Sequence, residues 1–165
     1  MENGPLLPEG YRVQPLSTEE ARMKFVDCLR GLYYLHQHGV IHGDIKPQNL
    51  LVSWNGTVKI ADFGAAVVLQ HASDRSMKKG KLICTPAFTP PELFVTSNAV
   101  SPASDVWAMG VTLYQMVYGI LPFWPPSGIH HELEIIIKHR ELTFPVTADA
   151  VSSSAAAAAA ARTGW

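Results

Sequence analysis

V-I-H-G-D-I-K-P-Q-N-L-L-V-S-W-N-G-T-V-K-I-A-D-F-G, Val40 to Gly64, is the stretch whose reading decides this chain. Asp44, Lys46 and Asn49 fall in one short polar loop, and after two apolar runs the chain reaches a second carboxylate, Asp62, beside Phe63 and Gly64. Leu50–Ser53 and Thr57–Ile60 read as short strands joined through Trp54-Asn55-Gly56, because Asn-Gly is the strongest two-residue hairpin signal. A hairpin there brings Asp62 back towards Asn49, so two carboxylates, an amide and an ammonium converge.

Phosphoryl transfer asks a protein for a carboxylate that accepts or orients a hydroxyl proton, for oxygen ligands to Mg²⁺, and for a cation facing the developing phosphate charge. Asp44 suits the first, Asn49 and Asp62 the second, and Lys46 the third. H-x-D-x-K-x-x-N followed at a hairpin's distance by D-F-G joins two independent short patterns in the right order and separation. On these residues the chain resembles the C-terminal lobe of a eukaryotic protein kinase. The Lys two residues after Asp44 resembles Ser/Thr kinases rather than Tyr kinases. K-I-A-D-F-G, with T-P-A-F-T-P-P-E and D-V-W-A-M-G-V-T-L-Y-Q-M-V-Y-G further on, is similar to the calcium/calmodulin-dependent protein kinase kinases.

The resemblance implies ATP and Mg²⁺ as cofactors, a protein Ser/Thr hydroxyl as acceptor, and another kinase upstream or downstream as partner. It implies nucleotide contacts at Leu51, Asp62, Phe63 and Gly64, with Leu51 under the adenine ring; plain core packing is the other role open to Leu51, and both can hold. It makes His42 a packing residue under Phe63. Thr85, by its place in C-T-P-A-F, resembles the Thr that bridges the catalytic Asp and Lys, and is assigned with Asp44, Lys46 and Asn49 to catalysis. Ala65 to Phe88 would be the activation segment, with Ser73 and Ser76 as candidate phosphosites. Its Arg75, Lys78, Lys79 and Lys81 read as a solvated basic loop before they read as a docking patch.

Three positions depart from the family pattern. Pro90 stands where Ala-Pro-Glu usually begins. Glu92 should anchor the segment's end through an Arg, but Arg140 and Arg162 lie in a different context, so Glu92 is expected to be more exposed than its family counterpart. Gly43 stands where Arg is more usual, and glycine cannot pair with a phosphate. Phosphorylation of Ser73 or Ser76 is therefore not expected to act through that pairing.

Composition sets the outer bounds. The 165 residues are 47% hydrophobic and 16% charged with a net charge of −1, which fits one domain with a core. That balance does not argue for nucleic acid or an anionic membrane as partner. Cys28 and Cys84 form no C-x-x-C pair, so neither a disulfide framework nor a zinc site is expected. No stretch approaches about 18 continuous apolar residues, and the N-terminus is Pro- and Glu-rich. The expected setting is cytoplasmic, with the nucleus as alternative.

Met1–Leu16 reads as a hinge-like extended segment. Ser17 and Glu20 make a capping-box pattern for a helix to His38, with Phe25, Leu29, Leu32 and His36 on its apolar face, Val26, Tyr33 and Leu35 widening it, and Gly39 past its end. His36 and His38 suit helix-end packing or the C-terminal dipole better than metal binding. Ser101-Pro102 opens a helix to Gly119 that is apolar on nearly all sides and so should be buried. Asp105 in its first turn can accept N–H bonds from the catalytic loop and support Asp44. A last helix is expected over about Ile129–His139. Ser152–Ala161 is low complexity.

The fold class expected is α+β, mainly α: a kinase-like C-terminal lobe over 17–147, the segment 1–16 before it and a tail over 148–165. The sequence holds no G-x-G-x-x-G and no V-A-I-K. By the resemblance, the N-terminal β-rich lobe that covers the nucleotide is absent from this chain. The expectation is a truncated Ser/Thr kinase with weak or no independent transfer; the alternative is a non-catalytic, kinase-like interaction module.

Overall fold

The computed structural model describes residues 2–69, 85–94, 100–125, 127 and 132–145. In chain order the elements are β1 (Glu2–Pro5), α1 (Thr18–Gln37), β2 (Val40–Ile41), β3 (Leu50–Ser53), β4 (Val58–Ile60), β5 (Val67–Val68), α2 (Pro102–Tyr118) and α3 (Leu133–His139). Ser73, Ser76, the basic residues between 75 and 81, Cys84, the residues 129–131 and the tail lie outside the described residues.

Ser17 caps α1, its Oγ accepting the Glu20 N–H at 3.3 Å. Glu20 does not complete the box with its own side chain, which lies 3.8 Å from Lys24. Gly39 ends the helix at φ +68°, where a side chain would be strained. The inward stripe runs through Ala21, Phe25, Cys28 and Leu32 to His36, while Leu29 is 44% exposed and Tyr33 lies on the solvent side. Leu29 and Tyr33 are thus corrected out of the apolar face. The reason is close approach: a Cβ on Gly31 would stand 3.1 Å from the Ile60 side chain. Small residues at 21, 28 and 31 let β4 lie against α1, and that turns the larger side chains outward.

β3 and β4 form the expected hairpin, with Leu51 opposite Lys59. Asn55 builds the turn by accepting from Ser53 Oγ at 2.5 Å and Thr57 N–H at 3.2 Å, and Gly56 takes φ +85°. The extended N-terminal segment adds β1 to the other edge of β3, giving the antiparallel order β1-β3-β4. Its remainder straps the end of α2: Val13 N–H donates to Gly119 O, Leu16 N–H to Met116 O, and Gln115 Nε2 to Gly10 O. A second ladder pairs β2 with β5, Val40 opposite Val68 and Ile41 opposite Val67.

α2 runs through the centre, with Met109 and Met116 buried in the same core as Cys28 and Leu32 of α1 and Leu50 and Val58 of the hairpin. Among the described residues it is not enclosed on all sides as its composition suggests. Val106 is 58% exposed, and Trp107, Leu113 and Val117 border an apolar groove of about 560 Å³ shared with Tyr114, Ile137 and Phe144. The described part of the last helix, α3, seats Leu133 and Ile137 against Phe123. Among the described residues no helix is long and apolar enough to cross a membrane.

Met116 is fully buried at the junction of α2 with the N-terminal strap. Met116→Ala is expected to cost about 2–5 kcal/mol, through lost transfer energy and the cavity left behind. Urea denaturation checks it, and a loss within experimental error would contradict this packing.

Candidate active site

The first turn of α2 points Asp105 into the loop that follows β2. Only 1% exposed, its Oδ2 accepts the His42 N–H at 2.8 Å and its Oδ1 accepts the Gly43 N–H at 2.9 Å. His36 Nε2 on α1 lies 2.9 Å from the same Oδ2. A buried carboxylate is stable only when its oxygens are satisfied, and here the donors come from α1 and from the loop after β2.

His42 is fully buried and both ring nitrogens are engaged. Nδ1 accepts the Asp44 N–H at 3.3 Å, so Nε2 carries the proton and donates to Ala61 O at 2.9 Å. With Phe63 edge-on at 5.2 Å, this ring is a bracket between the loop that carries Asp44 and the Asp62 segment, with both nitrogens engaged.

Asp44 lies at the centre. Its Oδ1 accepts the Thr85 hydroxyl at 2.8 Å and the Thr85 N–H at 3.0 Å; its Oδ2 faces Lys46 Nζ at 2.7 Å and Asn49 Nδ2 at 3.2 Å. Lys46 Nζ also donates to Thr85 Oγ1 at 2.8 Å, closing a triangle of carboxylate, ammonium and hydroxyl. Burial pushes the Asp44 carboxyl up, but the Lys46 ammonium and the Thr85 hydroxyl and N–H outweigh it and hold the group below the ordinary carboxylate range. A depressed folded value stabilises the fold above the unfolded value, about 3.9. That contribution is lost as pH falls through the folded value.

Asn49 is buried, with Nδ2 donating to Asp44 O at 2.8 Å, so its amide oxygen is the atom left to meet a hard cation. Asp62 is exposed at φ +61° and caps the single turn Phe63–Ala65 through Gly64 N–H at 3.3 Å. An amide oxygen and a carboxylate on adjoining segments are a donor set that fits Mg²⁺, which keeps waters and takes one or two carboxylates with substrate phosphates. Among the described residues no group of three His, Cys, Asp or Glu could hold a metal. Leu51 is half-buried on β3, and Glu92 is exposed on the turn Pro91–Phe94.

The protein kinase domain model matches residues 1–159. The chain belongs to the protein kinase family. It is 42% identical over 138 residues to serine/threonine-protein kinase TOS3 of Saccharomyces cerevisiae, covering 79% of this chain and 24% of that protein. It is 41% identical over 141 residues to serine/threonine-protein kinase ssp1 of Schizosaccharomyces pombe, covering 81% and 21%. It is 41% identical over 133 residues to calcium/calmodulin-dependent protein kinase kinase cmkC of Emericella nidulans, covering 79% and 25%. The resemblance is therefore to serine/threonine kinases, and the chain spans about a quarter of the length of these relatives.

Sequence reasoning gave His36 a helix-end role and missed its bond to Asp105. The available signal was its place on the inward stripe of α1, where a polar ring needs a partner. The Gly39 and Leu69 contact and the β2–β5 ladder left no sequence signal, since each strand is two residues long.

Lys46→Met removes the ammonium but leaves Thr85. The Asp44 carboxyl is then expected to titrate at higher pH, read from its ¹³Cγ shift, with less stability retained at mildly acidic pH. An unchanged titration would contradict the assignment of Lys46 as a main counter-charge.

Proposed function

We propose that this chain carries the acceptor-hydroxyl and metal half of a Ser/Thr kinase site, transferring the γ-phosphoryl of ATP to a protein Ser or Thr. The observation that carries the reading is the closed triangle of Asp44, Lys46 and Thr85 with Asn49 bonded to the same carboxylate. Bound Mg²⁺ and ATP supply the electrophilic phosphoryl group and the charge that neutralises its oxygens. Asp44, kept ionised by its neighbours, orients the acceptor hydroxyl and takes its proton. Lys46, already 2.7 Å from Asp44, faces the charge that develops on the phosphoryl oxygens. Asn49 and Asp62 hold the metal, Leu51 contacts the adenine, and Thr85 holds the peptide-side loop against the catalytic carboxylate. Glu92 supports that loop from the turn that follows it.

The relative named a protein kinase kinase supports another kinase as the protein substrate, and hence a place within a kinase cascade. The 165 residues contain no G-x-G-x-x-G run to cover the phosphates, so transfer by this chain alone is expected to be weak or absent. A second reading, a kinase-like interaction module, is favoured by one observation: the apolar groove beside α2, bordered by Pro122, Phe123 and Ile137.

The test is transfer of radiolabel from ATP to a kinase-domain substrate, by this chain and by a form extended with the family's nucleotide-covering lobe. The extended form is expected to transfer label, and Asp44→Ala is expected to lower its rate by about 10²–10⁴-fold. Asp44-independent transfer would contradict the role given to Asp44, and no transfer from a folded extended form that binds nucleotide would support the second reading.

A further inference from the structure

Gly43 is held on two sides. Its N–H donates to Asp105 Oδ1 at 2.9 Å, and its φ is +80°. A Cβ at this position would stand 2.7 Å from the carbonyl oxygen of Ala65 and 3.6 Å from the Ala65 Cβ. Real Cβ atoms do not come that close to a backbone oxygen, and a backbone oxygen cannot swing aside as a side-chain tip can. Any residue other than glycine here must therefore shift Ala65 or the loop that carries position 43.

Ala65 closes the turn that Asp62 caps. On the other side of Asp62, Ala61 N–H donates to Asn49 O at 2.8 Å and Ala61 O accepts from His42 Nε2 at 2.9 Å. Asp62 is thus strung between two attachments to the catalytic loop, Ala61 on Asn49 and His42, and Ala65 against Gly43. It is also the one non-glycine residue with positive φ among the described residues. A strained backbone of this kind persists only where its flanks are fixed. Beyond Ala65, Val67 and Val68 pair with Ile41 and Val40, and Leu69 N–H donates to Gly39 O at 2.8 Å.

We infer that Gly43 is a positioning residue whose missing side chain lets the Ala65 carbonyl seat against the catalytic loop and so fixes the Asp62 carboxylate relative to Asn49. The inference rests on the reading of Asn49 and Asp62 as the metal pair. It gives the departure at position 43 a structural use: the loop and the Asp62 segment meet backbone to backbone, and the backbone described here has no room for an arginine at that point. The collision and the torsional strain separate in experiment. Asparagine tolerates left-handed φ but brings a Cβ, so it relieves the torsional strain and keeps the collision.

Amide hydrogen exchange on the full chain tests this, comparing wild type with Gly43→Ala, Gly43→Asn and the control Gly110→Ala, where a Cβ meets nothing within 4 Å. Gly43→Ala and Gly43→Asn are expected to lose about tenfold or more protection at Ala66, Val68 and Leu69, with α1, β3 and β4 unchanged. Gly110→Ala is expected to change nothing there. A second readout is Mn²⁺ broadening in the presence of ADP. In both Gly43 variants Asn49 and Asp62 should need about tenfold more Mn²⁺ to broaden than in wild type, while Gly110→Ala should need no more. Should Gly43→Ala not fold, the double variant with Ala65→Gly, which lets that carbonyl turn away, carries the same comparison. Unchanged exchange at 66–69, recovery by asparagine, or protection lost evenly through the chain would each overturn the inference. If wild type shows no Mn²⁺ broadening at either residue, the metal-pair reading fails, and with it the role of Gly43 in placing Asp62; the exchange pattern then reports only on the backbone contact.

Discussion

The structure depends on one buried carboxylate. Asp105 gathers the N–H groups of His42 and Gly43 and the ring of His36, and so ties the central helix α2 to α1 and to the loop that carries Asp44. An unsatisfied buried donor costs about 1–3 kcal/mol, and removing this side chain would leave the N–H groups of His42 and Gly43 without it. The charge of Asp105 also suits its position at a helix N-terminus. What looks like a polar intrusion into the most apolar helix is the group that fixes the backbone of the loop at His42 and Gly43.

From that anchor the site is assembled in two steps. His42, fixed at its backbone by Asp105, offers a donor to Ala61 and an acceptor to Asp44 N–H, and so joins the Asp62 segment to the loop. Asp44 then meets Lys46, Asn49 and Thr85, drawn from positions up to 41 residues apart in sequence. The hydrogen bonds that shape the carboxylate are also those that keep it ionised. Positioning and electrostatics are the same interaction here.

Much of this was legible in sequence because it is written in local chemistry. The Asn-Gly turn, the Ser17 cap, the glycine stop at Gly39 and the polar spacing from Asp44 to Asn49 each act within a few residues. The first-turn place of Asp105 even indicated the bonds that it makes. What escaped depends on close approach between distant segments. The roll of α1 follows from Gly31 meeting Ile60, which no periodicity can express, since Cys28 and Leu29 fit the period equally well. The added edge strand β1 and the β2–β5 ladder are short and set by tertiary pairing. The open side of α2 was misread because apolar composition reports a tendency to be covered and not what covers it.

The central claim is that Asp44, Asn49 and Asp62, held by Asp105, form a metal-dependent phosphoryl site. Calorimetric titration of ADP onto the folded chain, once with Mg²⁺ and once with EDTA, tests it most directly. Weak binding that requires Mg²⁺ and disappears in Asp62→Asn is the predicted result. Binding of equal strength in EDTA, or binding indifferent to Asp62→Asn, would contradict the account.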